Sequence, residues 1–181
     1  MSNIILIGFM GCGKTSVGSV IGTKLGRTFT DTDKWIEEKH GIIKDIFMDK
    51  GELYFRELET DAIRYFMEHT KDAVISVGGG LPITEGNGDL LRELGTVIYL
   101  KASQDTLYNR LKNDRSRPLL AAGTKEEKKD KLEKLYSYRA PIYESLSHVI
   151  VTVDNRTISQ IADEIIAILV QEKGGCKAWG F

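Results

Sequence analysis

Gly8-Phe9-Met10-Gly11-Cys12-Gly13-Lys14-Thr15 follows directly on the apolar run Ile4-Ile5-Leu6-Ile7 and precedes a helical pattern. A loop of the form Gly-x-x-x-x-Gly-Lys-Thr in that setting turns consecutive main-chain N–H groups toward phosphate oxygens at a helix N-terminus. Gly11, Cys12, Gly13, Lys14, Thr15 and Ser16 are the residues expected around the phosphates. Lys14 reaches the β and γ phosphates, and the Thr15 hydroxyl ligates Mg²⁺. The chain is therefore expected to bind a nucleoside triphosphate. Cys12 occupies a variable position of the pattern, so no chemistry is expected of its thiol unless the helix N-terminus lowers its pKa.

Four further groups of residues could carry chemistry. Asp31-Thr32-Asp33 follows a second strand, and ligands of an open parallel sheet sit beyond the carboxyl ends of its strands. With strand alternation, Asp31 and Asp33 point the same way. One could hold water on Mg²⁺ while the other accepts a hydrogen bond from a hydroxyl that attacks the γ-phosphate. The plainer alternative makes Asp33 the N-cap of a helix starting at Lys34. Arg56 and Glu59 lie three apart on a helix, either as a surface ion pair or as a guanidinium held flat to take a substrate carboxylate. Gly78-Gly79-Gly80 ends a buried strand, which suits close approach of main chain to a ligand and also suits a tight turn. Arg115 and Arg117 lie in a charged segment, and Arg139 lies in the helix after it. A swinging arginine can neutralise charge on a transferring phosphoryl group and exclude water.

The elements that must position these groups are legible as short apolar runs separated by helical spacing: Ile4–Ile7, Thr28–Thr30, Val74–Val77, Val97–Leu100 and Val149–Val153. Such alternation predicts crossover units and a mostly parallel sheet. The first helix carries Val17, Val20, Ile21 and Leu25 on one face and stops at Gly26. The last, about Ser159 to Gln171, repeats the pattern with Ile161, Ile165, Ile168 and Leu169. Residues 32–70 read as a helical insertion broken at Gly41 and Gly51. The charged stretch from Asn113 to Lys131 reads as a lid, bounded at about 112–126. One domain is expected over residues 1–172, with 173–181 as a tail that carries Trp179 and Phe181.

With 181 residues, 41% hydrophobic and 28% charged, the chain has the composition of an ordinary globular domain. A formal charge of -1 offers no electrostatic footprint for nucleic acid. No run approaches the ~18 apolar residues of a membrane span, and the N-terminus lacks a secretory pattern. Cys12 and Cys176 do not make a disulfide framework, so reduced thiols and a cytoplasmic location are expected; a monomer is expected as well.

Taken in order, Gly8–Thr15, Asp31-x-Asp33, Phe55-Arg56-x-x-Glu59, Gly78-Gly79-Gly80, Arg117-Pro118-Leu119-Leu120 and Arg139-Ala140-Pro141-x-Tyr143 resemble the shikimate kinases, within the nucleoside monophosphate kinase-like group of P-loop kinases. The resemblance runs from about Asn3 to Leu169. It implies a three-layer α/β fold with a five-stranded parallel sheet in order 2-3-1-4-5, a substrate-binding insertion and a lid. It also implies transfer of the ATP γ-phosphoryl group to the 3-hydroxyl of shikimate. By position, Asp33, Arg56, Gly78, Gly79, Gly80 and Arg139 would bind shikimate, with Phe47 and Phe55 walling its ring. Lys14, Asp33 and Arg117 would be catalytic, and Thr15 and Asp31 would hold Mg²⁺. Arg110 matches a position that stacks on adenine, and Arg156 lies in the loop flanking the base, where many relatives have a proline and this chain has Ile158. Without the resemblance, the residues specify only an acceptor bearing a carboxylate and hydroxyls. Another small-molecule kinase, such as a gluconate kinase, would satisfy the same loop. A GTP-dependent switch would need Asn-Lys-x-Asp and Asp-x-x-Gly, which do not occur.

Overall fold

A computed structural model describes residues 2–112 and 124–175. Five strands, β1 (Asn3–Ile7), β2 (Phe29–Asp31), β3 (Val74–Ser76), β4 (Gly95–Lys101) and β5 (Val149–Thr152), form one sheet in the order β2-β3-β1-β4-β5. Every neighbouring pair is parallel, with Ile5 opposite Ile75 on one side and Val97 on the other. Ile4 to Ile7, Val74 to Ser76 and Val97 to Leu100 are all buried. Continuous burial of successive residues means that both faces of these strands are covered, which is why they read as unbroken apolar runs and not as alternating ones.

Among the described residues, seven α-helices accompany the strands: α1 (Lys14–Leu25), α2 (Thr32–His40), α3 (Ile43–His69), α4 (Asn87–Leu94), α5 (Gln104–Leu111), α6 (Lys125–Leu146) and, after β5, α7 (Ile158–Gly175). On α1, Val17 and Ile21 are buried and Val20 and Leu25 pack beside them; on α7, Ile161 and Ile165 are buried, with Ile168 and Leu169 alongside. The expected breaks occur. Gly41 ends α2, and Gly51 leaves helical geometry within α3 (φ 83°, ψ 175°). No helix among the described residues is long and apolar enough to cross a membrane.

Three expectations need correction or limits. The helix after β2 begins at Thr32, not Lys34, and its N-cap is Asp31, whose side chain accepts from the Asp33 N–H. The charged stretch is not all loop: Thr124 and Glu127 form a reciprocal capping box that starts α6 at Lys125. The rest of the expected lid, including Arg115, Arg117 and Pro118 to Leu120, lies outside the described residues, as do Cys176 and the remainder of the tail.

At the far end of the sheet, the buried Asn3 side chain gathers three segments. Its Nδ2 donates to Thr70 O and Leu94 O at 3.1 Å each, and its Oδ1 accepts from Ala73 N at 3.0 Å. Truncation would leave buried main-chain groups without partners. Asn3→Ala is predicted to lower unfolding free energy by about 3 kcal/mol, seen as a reduced urea midpoint with unchanged slope, and to leave kinetic constants intact. An unchanged midpoint would contradict this role.

Candidate active site

The donor side of the site is built mostly from main chain. Gly13 adopts a left-handed conformation (φ 103°, ψ 17°) as the N-cap of α1, with no side-chain cap. The first N–H groups of α1 are thus left facing outward with the positive end of the helix dipole, an arrangement that fits phosphate. Lys14 Nζ donates to Gly8 O at 2.8 Å and Phe9 O at 3.2 Å, which holds the ammonium across the mouth of the loop. Cys12 is buried, and its sulfur lies 3.9 Å from Lys14 Nζ. From α5, Arg110 Nη1 donates to Gly11 O (3.0 Å) and Cys12 O (3.2 Å), bracing the loop from outside.

The end of β2 meets this loop directly. Thr15 Oγ1 donates to Asp31 Oδ2 at 2.9 Å, while Asp31 Oδ1 accepts from Asp33 N at 3.0 Å. Mg²⁺ keeps several waters and takes only one or two protein groups beside the phosphates, so a hydroxyl backed by a carboxylate fits it. Asp31 and Asp33 do not share a strand, as alternation predicted, because the strand ends at Asp31 and Asp33 is already helical. Both nevertheless line one cavity of about 200 Å³, with Lys14, Thr15 and Ser16 on one side and Gly78 and Gly79 on the other.

The triglycine turn explains how charged side chains fit behind β3. A Cβ on Gly78 would stand 2.5 Å from Asp33 Oδ1 and 3.0 Å from Glu59 Oε1, and one on Gly80 would collide with the Arg56 guanidinium. The close approach that the glycines permit is therefore to the protein's own charged groups as well as to the cavity. Thr32, fully buried between the two aspartates, accepts from Gly78 N at 2.9 Å and ties the turn to α2. Sequence reasoning passed over Thr32. No local pattern marks it, because its partner Gly78 is distant in sequence.

Arg56 and Glu59 are not a surface pair. Arg56 Nη1 donates to Glu59 Oε2 at 2.6 Å and Nη2 to Glu52 Oε1 at 2.8 Å, and Glu59 is 1% exposed. Burial pushes the Glu59 carboxyl up to about 7; Arg56 and Arg139 oppose the rise and the Asp33 charge adds to it. Glu59 thus connects electrostatically with both arginines and with Asp33. Arg139, on α6, is buried, and its Nε has no hydrogen-bond partner. A buried donor without a protein partner calls for an acceptor from outside the protein, a water or a ligand. Phe47 and Phe55 pack with ring centroids 4.7 Å apart beside Arg56.

Arg156 stands apart from this cavity. It donates to Thr152 O and Gln160 O and pairs with Glu164, bracing the loop between β5 and α7. Arg117 falls outside the described residues.

Comparison with known proteins agrees with this geometry. The profile of the family described as shikimate kinase matches residues 10–170. A shikimate kinase from a Sulfurihydrogenibium species is 43% identical over 167 residues, covering 92% of this chain and 96% of the relative. One from Dictyoglomus turgidum is 42% identical over 169 residues, covering 91% and 95%. Among solved structures, shikimate kinase from Acinetobacter baumannii in complex with shikimate superposes with a TM-score of 0.89 at 33% identity, over 96% of this chain and 95% of that one. With its sheet order, its phosphate loop and its near full-length likeness all in agreement, the chain belongs to the shikimate kinase family.

Proposed function

We propose that this chain carries out the shikimate kinase reaction in the cavity between the phosphate loop and the triglycine turn. In that reaction the γ-phosphoryl group of ATP passes to the 3-hydroxyl of shikimate, giving shikimate 3-phosphate and ADP on the route to chorismate and the aromatic amino acids. The observation that carries the reading is the shared cavity, in which Lys14 and Thr15 face Asp33 and Gly79 across about 200 Å³.

On the donor side, Gly11, Cys12, Gly13 and Ser16 cradle phosphate oxygens through main-chain N–H groups, and Lys14 balances their charge. Thr15, with Asp31 behind it, holds Mg²⁺, which draws charge from the phosphates when bound. Arg117 is assigned to the phosphates on its motif alone, and Arg110 and Arg156 are assigned to the nucleotide end. On the acceptor side, Arg56 and Arg139 take the shikimate carboxylate through guanidinium N–H groups. Glu59 fixes the plane of Arg56, leaving its other donors for the substrate. Asp33 accepts a hydrogen bond from the ring hydroxyl, orienting it toward the donor loop and standing ready to take its proton. Gly78, Gly79 and Gly80 let main chain line the ring's edge. Phe47 and Phe55 supply the apolar wall.

All these groups come from one chain, so the reading requires no second copy. A formal charge of -1 gives no basis for nucleic-acid binding, and the assigned location is the cytoplasm, where ATP is available.

An ADP-release assay with Mg²⁺, ATP and a panel of hydroxy acids tests this directly. Turnover is expected with shikimate and not with gluconate; rapid turnover of gluconate with none of shikimate would overturn it.

The Glu59 carboxyl generates a pH prediction. Because its pKa is raised to about 7, the folded protein binds this proton more tightly than the unfolded chain. Its contribution to stability is thus greatest at low pH and falls as pH climbs from the ordinary glutamate range through about 7. The ionised form is the one that holds Arg56. At saturating ATP, KM for shikimate should therefore fall as pH rises through about 7. Glu59→Gln should flatten that profile, and a wild-type KM indifferent to pH over this range would contradict the assignment.

A further inference from the structure

On α6, one turn beyond Arg139, Tyr143 is fully buried and its hydroxyl donates to Gly79 O at 2.5 Å. A Cβ added at Gly79 would lie 3.4 Å from Gly8 O, 3.4 Å from Met10 N and 3.8 Å from Tyr143 Oη. The turn is thus held between the main chain of the phosphate loop on one side and this phenol on the other. Residues four apart share a helix face, so Arg139 and Tyr143 project from α6 together. The ring is backed by Tyr99 of β4, with centroids 5.3 Å apart. Among the described residues, Tyr143 supplies the one side-chain hydroxyl bonded to the Gly79 carbonyl.

We propose that Tyr143 is a positioning residue for the acceptor: its hydroxyl fixes the Gly79 carbonyl, and with it the distance of the triglycine turn from the phosphate loop and from Arg139. The inference rests on the shikimate kinase reading of the cavity. It adds a residue that acts through the turn and through its helical neighbour without needing to touch the substrate. Burial pushes the phenol above its ordinary value, opposed by Arg139, so the hydroxyl stays protonated and remains a donor near neutral pH. Removing it would leave the Gly79 carbonyl short of its partner and free the turn to shift. The effect should fall on the acceptor wall and spare the donor loop, whose own contacts are main-chain and lysine-based.

Tyr143→Phe keeps the ring and deletes only the hydroxyl. Steady-state assays with each substrate varied in turn should show KM for shikimate raised by about tenfold, with KM for ATP and kcat little changed. Tyr99→Phe is the control. It removes a neighbouring buried hydroxyl that is not bonded to the turn, and it should leave KM for shikimate at the wild-type value. An unchanged shikimate KM in Tyr143→Phe, an equal rise for both substrates, or the same rise in Tyr99→Phe would each overturn the proposal. If the wild-type protein transfers phosphate to a different hydroxy acid and not to shikimate, the functional reading itself fails, and this inference fails with it. A second measurement does not depend on any variant folding. In wild-type protein with ¹³C-labelled tyrosine rings, the Tyr143 resonance should move more on adding shikimate than on adding ADP, and no movement with shikimate would count against the assignment.

Discussion

The lack of side chains at Gly78 and Gly80 is the constraint on which the proposed acceptor half of this protein depends. Behind those two positions stand the Asp33 carboxylate and the Arg56 guanidinium, which an added methyl group would displace, and the Glu59 carboxylate, which it would crowd. A carboxylate as buried as Glu59 is costly to keep unless it is paired and hydrogen-bonded. Arg56 supplies that pairing at 2.6 Å, and Arg139 contributes from α6. The glycine turn is what lets α2, α3 and α6 bring these charges to the end of one short strand. Charge density of this kind suits recognition of a small carboxylate.

Sheet order determines what the acceptor half faces. Because β3 lies between β2 and β1, the triglycine turn after β3 is flanked by Asp31 and Asp33 on one side and by the phosphate loop after β1 on the other. Ligands of open parallel sheets collect at such carboxyl ends, and here both reactants would meet there. The hydrogen bond from Thr15 to Asp31 joins the first turn of α1 to the end of β2. It couples the place where phosphate charge would be balanced to the segment carrying Asp33. Preorganisation of this kind is the main resource a protein has for phosphoryl transfer, since positioning and electrostatics supply nearly all of the catalysis.

Some of this was legible in the sequence, for reasons that differ residue by residue. The phosphate loop could be read because its function lies in main-chain geometry that only certain residues allow. The parallel strands could be read because burial on both faces leaves unbroken apolar runs. The sheet order, however, came from the family resemblance, as did shikimate itself. Arg56 and Glu59 were readable as a pair but not as a buried pair, since the same spacing serves on any exposed helix. Asp31 and Asp33 were assigned to one cavity for the wrong geometric reason: the chain turns helical at Thr32, and a capping aspartate looks the same as a strand-end aspartate in sequence. Thr32 and Tyr143 stood within the quoted motifs without a role, because each acts through a main-chain partner distant in sequence and no local pattern reports such a contact.

The central claim is that main chain without side chains at the end of β3 lets the acceptor's charged groups stand against the donor loop. Gly78→Ala tests it most directly, because the added methyl would displace Asp33 and press on Glu59 while leaving the phosphate loop's own bonds untouched. The account predicts that the folded variant binds Mg²⁺·ADP by calorimetry as the wild type does and phosphorylates shikimate with kcat/KM reduced by about a hundredfold. A folded Gly78→Ala enzyme with wild-type kcat/KM for shikimate would contradict it.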